Sequence, residues 1–254
     1  MARARKLAAA ILAGLALNKA AAQTPTADSA AGPRRFRIPA ALLVAGQFTY
    51  ETALERGSST STVGTRTSTV LSSTYGGVPA WLLVEIRSGS GGSSTDTLFA
   101  GLTDLRPVHW SSSMSGARLG IEFRGDSAFG ATSAPSGRRS MVFAMPSGTI
   151  VSGSMLEAAL RVLPLQNGWE DSTSTLSLSL SGNSVVPTRL SVIGEDRVRV
   201  PAGTYDCWVV AVHADQGRGL YWVTKQNPIV VRSAIDIPSM GGAQLVSSLT
   251  RTTR

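Results

Sequence analysis

Val198-Arg199-Val200-Pro201-Ala202-Gly203-Thr204-Tyr205-Asp206-Cys207-Trp208-Val209-Val210-Ala211-Val212-His213 reads as two strands folded about one tight turn. Proline presets φ for the turn and glycine permits positive φ, so residues 201–204 reverse the chain. The flanking valines and aromatics favour extended backbone. In the second strand Trp208, Val210 and Val212 point one way, and Cys207, Val209 and Ala211 the other. Both sets are apolar. Such a strand is covered on both sides, by a second layer, a helix or a ligand.

The same rhythm extends in both directions. Leu82, Val84 and Ile86 alternate with Leu83 and Glu85. Leu119, Ile121 and Phe123 alternate with Gly120 and Glu122, and Leu176, Leu178 and Leu180 with serines. Period-2 alternation marks strands of an antiparallel sheet with one wet face. Gly57-Ser58-Ser59, Gly125-Asp126, Pro135-Ser136-Gly137, Gly182-Asn183 and Gly217-Arg218-Gly219 supply turns between them. Downstream, Leu220 to Val223, Ile229 to Val231 and residues 243–249 continue the series.

One segment departs from it. Ser154 and Glu157 have capping-box spacing, and Leu156, Ala159, Leu160 and Leu163 follow at helical spacing until Pro164. The pattern predicts one helix of about three turns packed on the sheet. The expected fold is mainly β: a curved antiparallel sheet, an open barrel or half-barrel, with one short helix packed on it.

Val200-Pro201-Ala202-Gly203-Thr204-Tyr205, followed by Tyr221-Trp222-Val223 and Pro228-Ile229-Val230, resembles the C-terminal part of an uncharacterised bacterial domain-of-unknown-function family of exported β-rich proteins. Residues 96–98, 105–107 and 163–165 are similar to that family too. The resemblance implies a strongly curved sheet, distantly similar to the periplasmic lipoprotein-carrier fold with its apolar concavity. It implies no catalytic residue. The Ser- and Thr-rich stretch 57–69 and the scarcity of lysine depart from the family pattern.

The N-terminus reads as an export signal. Arg3, Arg5 and Lys6 precede an apolar run over residues 7–17, and Ala20-Ala21-Ala22 fits a cleavage site. Eleven helical residues span roughly 16 Å, too little for a hydrocarbon core of about 30 Å. The expected organisation is a signal peptide over 1–22, a flexible linker over 23–35, one β-rich domain over 36–250 and a C-terminal tail over 251–254. The expected location is the periplasm or beyond, with no transmembrane helix in the mature chain. Cys207 is the only cysteine, so neither a lipidated N-terminus nor an internal disulfide is expected. The formal charge is +8, and loss of Arg3, Arg5, Lys6 and Lys19 halves it. No basic motif interleaved with aromatics points to nucleic acid.

Chemical motifs are absent. There is no Gly-x-Ser-x-Gly elbow, no phosphate loop and no dinucleotide fingerprint. His109 and His213 are the only histidines, with no metal-binding spacing, so no cofactor or metal is called for. Cys207 and His213 share a strand face but stand about 20 Å apart along it, far beyond the reach of a nucleophile and its base. His213 and Asp215 lie close enough in sequence to pair at a strand end. Tyr205, Trp208, Tyr221 and Trp222, with His213, form the candidate binding surface for an apolar molecule such as an acyl chain.

The reading is a non-catalytic envelope protein that binds or carries an apolar, lipid-like ligand. Two alternatives stand beside it: a structural module that docks other envelope proteins, and an enzyme with an unrecognised site. An outer-membrane barrel is disfavoured by the sparse aromatics, because a lipid-facing band needs aromatic girdles.

Overall fold

The computed structural model describes residues 36–179, 182–215 and 217–253. The signal-peptide and linker readings lie outside these residues, as does Leu180.

Fifteen strands form one sheet. They are β1 (Gly46–Arg56), β2 (Ser59–Tyr75), β3 (Val78–Gly89), β4 (Gly92–Gly101), β5 (Pro107–Met114), β6 (Ala117–Arg124), β7 (Ser127–Ala134), β8 (Gly137–Ala144), β9 (Ile150–Val151), β10 (Glu170–Ser179), β11 (Gly182–Val200), β12 (Gly203–Ala214), β13 (Gly217–Thr224), β14 (Val230–Ile237) and β15 (Ala243–Thr253). Among the described residues one α-helix, α1 (Ser154–Leu160), lies between β9 and β10. The spatial order runs from β8 down to β1, then β15 down to β9. Each half is thus a meander of hairpins, and β1 joins β15 antiparallel at the middle. Only the two-residue β9 runs parallel to its neighbour, β10.

This order forces curvature. Laid flat, fifteen strands at roughly 4.8 Å would stretch about 67 Å. Yet the two edge strands, β8 and β9, are joined by residues 145–149 alone, a link that reaches about 20 Å at most. The sheet must curl until its edges approach. One core then takes residues from both halves: Leu83, Leu98 and Ile121 beside Leu190, Val210 and Val223.

The trough is filled by the chain itself. Six of the seven residues of α1 are buried, on every side of the helix. Ile38, Ala40 and Leu43 run into the same core from the N-terminal side. Trp81 Nε1 donates to the Ala40 carbonyl at 3.2 Å, and Arg161 Nη2 donates to that of Val44 at 2.6 Å. Burial of a Leu or Met side chain contributes roughly 1.5–3 kcal/mol, so Met155, Leu156 and Leu160 anchor α1 strongly.

The helix differs from its sequence expectation. It spans seven residues, Gly153 takes the N-cap position, and no side-chain cap forms. The Glu157 carboxylate turns instead to an arginine in the core. Ionic pairing in the interior outweighs capping of the free amides at a short helix start. At the C-terminus, residues 251–253, expected as a tail, belong to β15 and pair with β1.

A second, smaller core adjoins the first and takes the opposite face of β12. Phe48, Tyr50, Val198, Val200, Cys207, Ile229, Val231 and Leu249 form it, with Tyr205 and Trp222 against it. The 201–202 turn folds over β15, where Ala202 N–H donates to the Leu249 carbonyl at 3.0 Å. The two-sided apolar character of β12 is therefore met by two protein layers.

Candidate functional site

The predicted surface residues separate. Trp208 and Tyr221 face the main core, whereas Tyr205 and Trp222 pack on the small one. Strand parity dictates this: Tyr221 stands opposite Val210, and Trp222 opposite Val209. Tyr205 O–H donates to the Ala202 carbonyl at 3.1 Å, closing its own hairpin. Trp222 Nε1 donates to Asp196 Oδ2 at 2.9 Å. His213 is exposed, in register between Arg189 and Arg218. The structure does not bring these five together.

A groove of about 740 Å³ does open beside Tyr205, but Glu195, Asp196, Asp206 and Lys225 line it. Those charges suit no acyl chain. Cys207 is fully buried, and burial, with Asp196 and Asp206 adding to it, pushes its thiol up to about 12. Burial thus favours the neutral thiol at neutral pH, as for a packed apolar residue.

What sequence reasoning missed is a buried ionic cluster at the inner face of β1–β4. Arg66 Nη1 meets Glu85 Oε2 at 3.0 Å and Glu157 Oε1 at 2.9 Å. Arg87 meets the other oxygen of Glu85 and holds Asp96 at 2.7 Å. The Arg66 guanidinium also lies 4.1 Å from the Tyr50 ring centroid, and Tyr50 O–H donates to the Val230 carbonyl at 2.9 Å. Arg66 Nη2 has no hydrogen-bond partner among the described residues. The register of the sheet builds the cluster, since Arg66 stands opposite Arg87, and Glu85 opposite Asp96. Only Glu157 comes from outside, on α1.

The two glutamates titrate in opposite directions. Burial acts to raise Glu85, but Arg87 and Arg66 outweigh it and hold its carboxyl below the usual range. For Glu157 burial prevails over Arg66, with Glu85 adding repulsion, so its carboxyl is raised. Burial likewise raises the Tyr50 and Tyr221 phenols. Arg66, Glu85 and Glu157 are buried while Arg87 closes the cluster from the exposed side, and Glu157 on Arg66 ties the helix to the sheet.

Its signal in the sequence was faint. Glu85 stands at an inward period-2 position among leucines and valines, which demands a partner. Arg66 stands in the Ser- and Thr-rich stretch, where nothing marks it as buried. Glu157 had an apparent local role as a cap.

The outer face carries a second group. Glu122 Oε1 accepts from Tyr75 O–H at 2.6 Å and lies 2.8 Å from His109 Nδ1. Tyr75 stacks on His109 with centroids 5.2 Å apart. These side chains sit in a row that crosses the sheet: Leu71, Leu82, Phe99, His109, Glu122, Phe129 and Val142 stand opposite one another in turn. Leu71, Phe129 and Val142 are exposed, the last at 70%. The row ends on β8, whose far edge pairs with no described strand. No three metal-binding side chains converge among the described residues.

A family profile described as a protein of unknown function, DUF3108, matches residues 44–245. The chain belongs to the DUF3108 family. The match runs from just before β1 into β15, so it takes in the ionic cluster, α1 and the 201–202 hairpin. It gives the resemblance seen in sequence its family, at the level of a shared domain without an assigned activity. No curated protein matches. Among solved structures, a DUF1329 family protein from Desulfovibrio piger is similar over 84% of this chain and 86% of its own, at 11% identity and a TM-score of 0.27.

Proposed function

We propose that this DUF3108 protein is a non-catalytic module of the cell envelope that works by docking another protein on its outer surface. One observation carries the reading. The trough that a carrier would keep for cargo holds α1 and the N-terminal segment, while the edge strand β8 stands exposed with Phe129 and Val142 side by side on the sheet's outer face. Isolated exposed apolar residues are ordinary; an adjacent exposed pair, Phe129 and Val142, at an unpaired edge is an interaction surface. The envelope location rests on the signal-peptide pattern over residues 1–22. Carriage of an apolar ligand would require α1 to leave the trough and break its tie to Arg66.

Photo-crosslinking tests the docking. A crosslinking residue at Val142 should give one discrete protein adduct in envelope extract, which excess unlabelled protein competes away. The same residue at Ile235, exposed on the other half of the sheet, should give none. Equal adducts from both positions, or none from Val142, would reject the reading.

A further inference from the structure

The free edge of β8 specifies what it would take. Six of its eight residues are exposed, and Met141 and Phe143 are only half-covered on the inner side. Arg138 and Arg139 are exposed at its beginning, and neither pairs with a carboxylate among the described residues. A shallow open recess of about 260 Å³ adjoins them, lined by Thr132, Ala134, Ser136 and Gly137 as well as the two arginines. An edge strand presents unpaired amides and carbonyls that a further strand can satisfy.

We infer that β8 accepts an extended segment of another protein as a sixteenth, antiparallel strand. The inference rests on the docking reading above. Directly opposed residues share a face, so β8 dictates the sequence of its partner. Read from its N-terminus, the segment places three apolar residues against Phe143, Val142 and Met141, a small polar one against Ser140, and two acids against Arg139 and Arg138. The first and third apolar residues complete the inner cover, and the second extends the outer row. A second copy of this chain fits poorly. Centring β8 on β8 sets Arg138 against Phe143 and Arg139 against Val142, with no acid to meet either.

A random eight-residue display library, selected on the purified protein, tests this. The expected consensus is three apolar positions, one small polar position and two acids, in that order. Arg138→Glu with Arg139→Glu should weaken selected peptides roughly tenfold and, on reselection, turn the two acidic positions basic. Val142→Asp should abolish binding. All three side chains are exposed, so the fold should survive, and circular dichroism checks that. Selected peptides indifferent to these changes would overturn the assignment to β8 and leave docking elsewhere standing. No enrichment at all would overturn both. A dimer that Val142→Asp dissociates would give the edge to a second copy and overturn the inference.

Discussion

Arg66 is the residue on which the interior depends. It lies under the Tyr50 ring and holds two carboxylates from two different elements. Its replacement by methionine leaves Glu85 and Glu157 buried with one cation fewer, and breaking a buried pair costs about 3–5 kcal/mol. Chemical denaturation of Arg66→Met should show a loss of that size. Glu157→Gln should differ, because burial already disfavours the charged form of Glu157. A carboxyl raised in the folded state opposes folding above its folded pKa, and that penalty disappears below its unfolded value. Glu85, held low, behaves oppositely: its contribution is present above the unfolded value and is lost as pH falls through the folded one. Glu157→Gln should therefore cost no more than about 1 kcal/mol at neutral pH. It should also remove the gain in stability that the raised Glu157 carboxyl predicts for the wild type on mild acidification. A loss as large as that of Arg66→Met, with an unchanged pH profile, would contradict this assignment.

Among the elements, legibility followed local pattern. The 201–202 hairpin was written in Pro201 and Gly203, and it forms as a two-residue turn with Gly203 at φ 144°. The strands containing Leu83 and Leu119 were equally plain, because period-2 alternation survives tertiary packing. The helix was placed correctly by its leucines but too long, and Glu157 was misread, since its partner lies some ninety residues away in sequence. The scattering of Tyr205, Trp208, Tyr221 and Trp222 between two cores was not foreseen, because neighbouring strands were judged by nearness and not by parity. The close approach of β2 and β3 at Gly64 was also invisible. Gly64 faces Gly89, and a Cβ on Gly64 would fall 2.1 Å from the Ser88 carbonyl oxygen. Gly64→Ala should cost about 1–3 kcal/mol by overpacking. Gly120→Ala, with nothing within 4 Å, should stay within about 0.5 kcal/mol. Thermal melts of the two variants make the comparison, and equal melting temperatures would refute the close approach.

At the scale of the molecule, one topological fact organises the rest. The sheet's two edges are joined by five residues, so it curls, and what lies between them becomes its filling. The curved β architecture was legible because composition and alternation sum over the whole chain. Whether the trough is empty or full was not, since that depends on where α1 and residues 36–45 come to rest. The central claim is that they occupy it. Titration of purified protein with the fluorescent fatty acid cis-parinaric acid addresses this most directly. A filled trough predicts no saturable uptake at micromolar protein, with fluorescence no higher than that of a surface-binding control protein. Saturable uptake of one probe per chain, enhanced by Glu157→Gln, would show that α1 yields its place to cargo and would contradict the account.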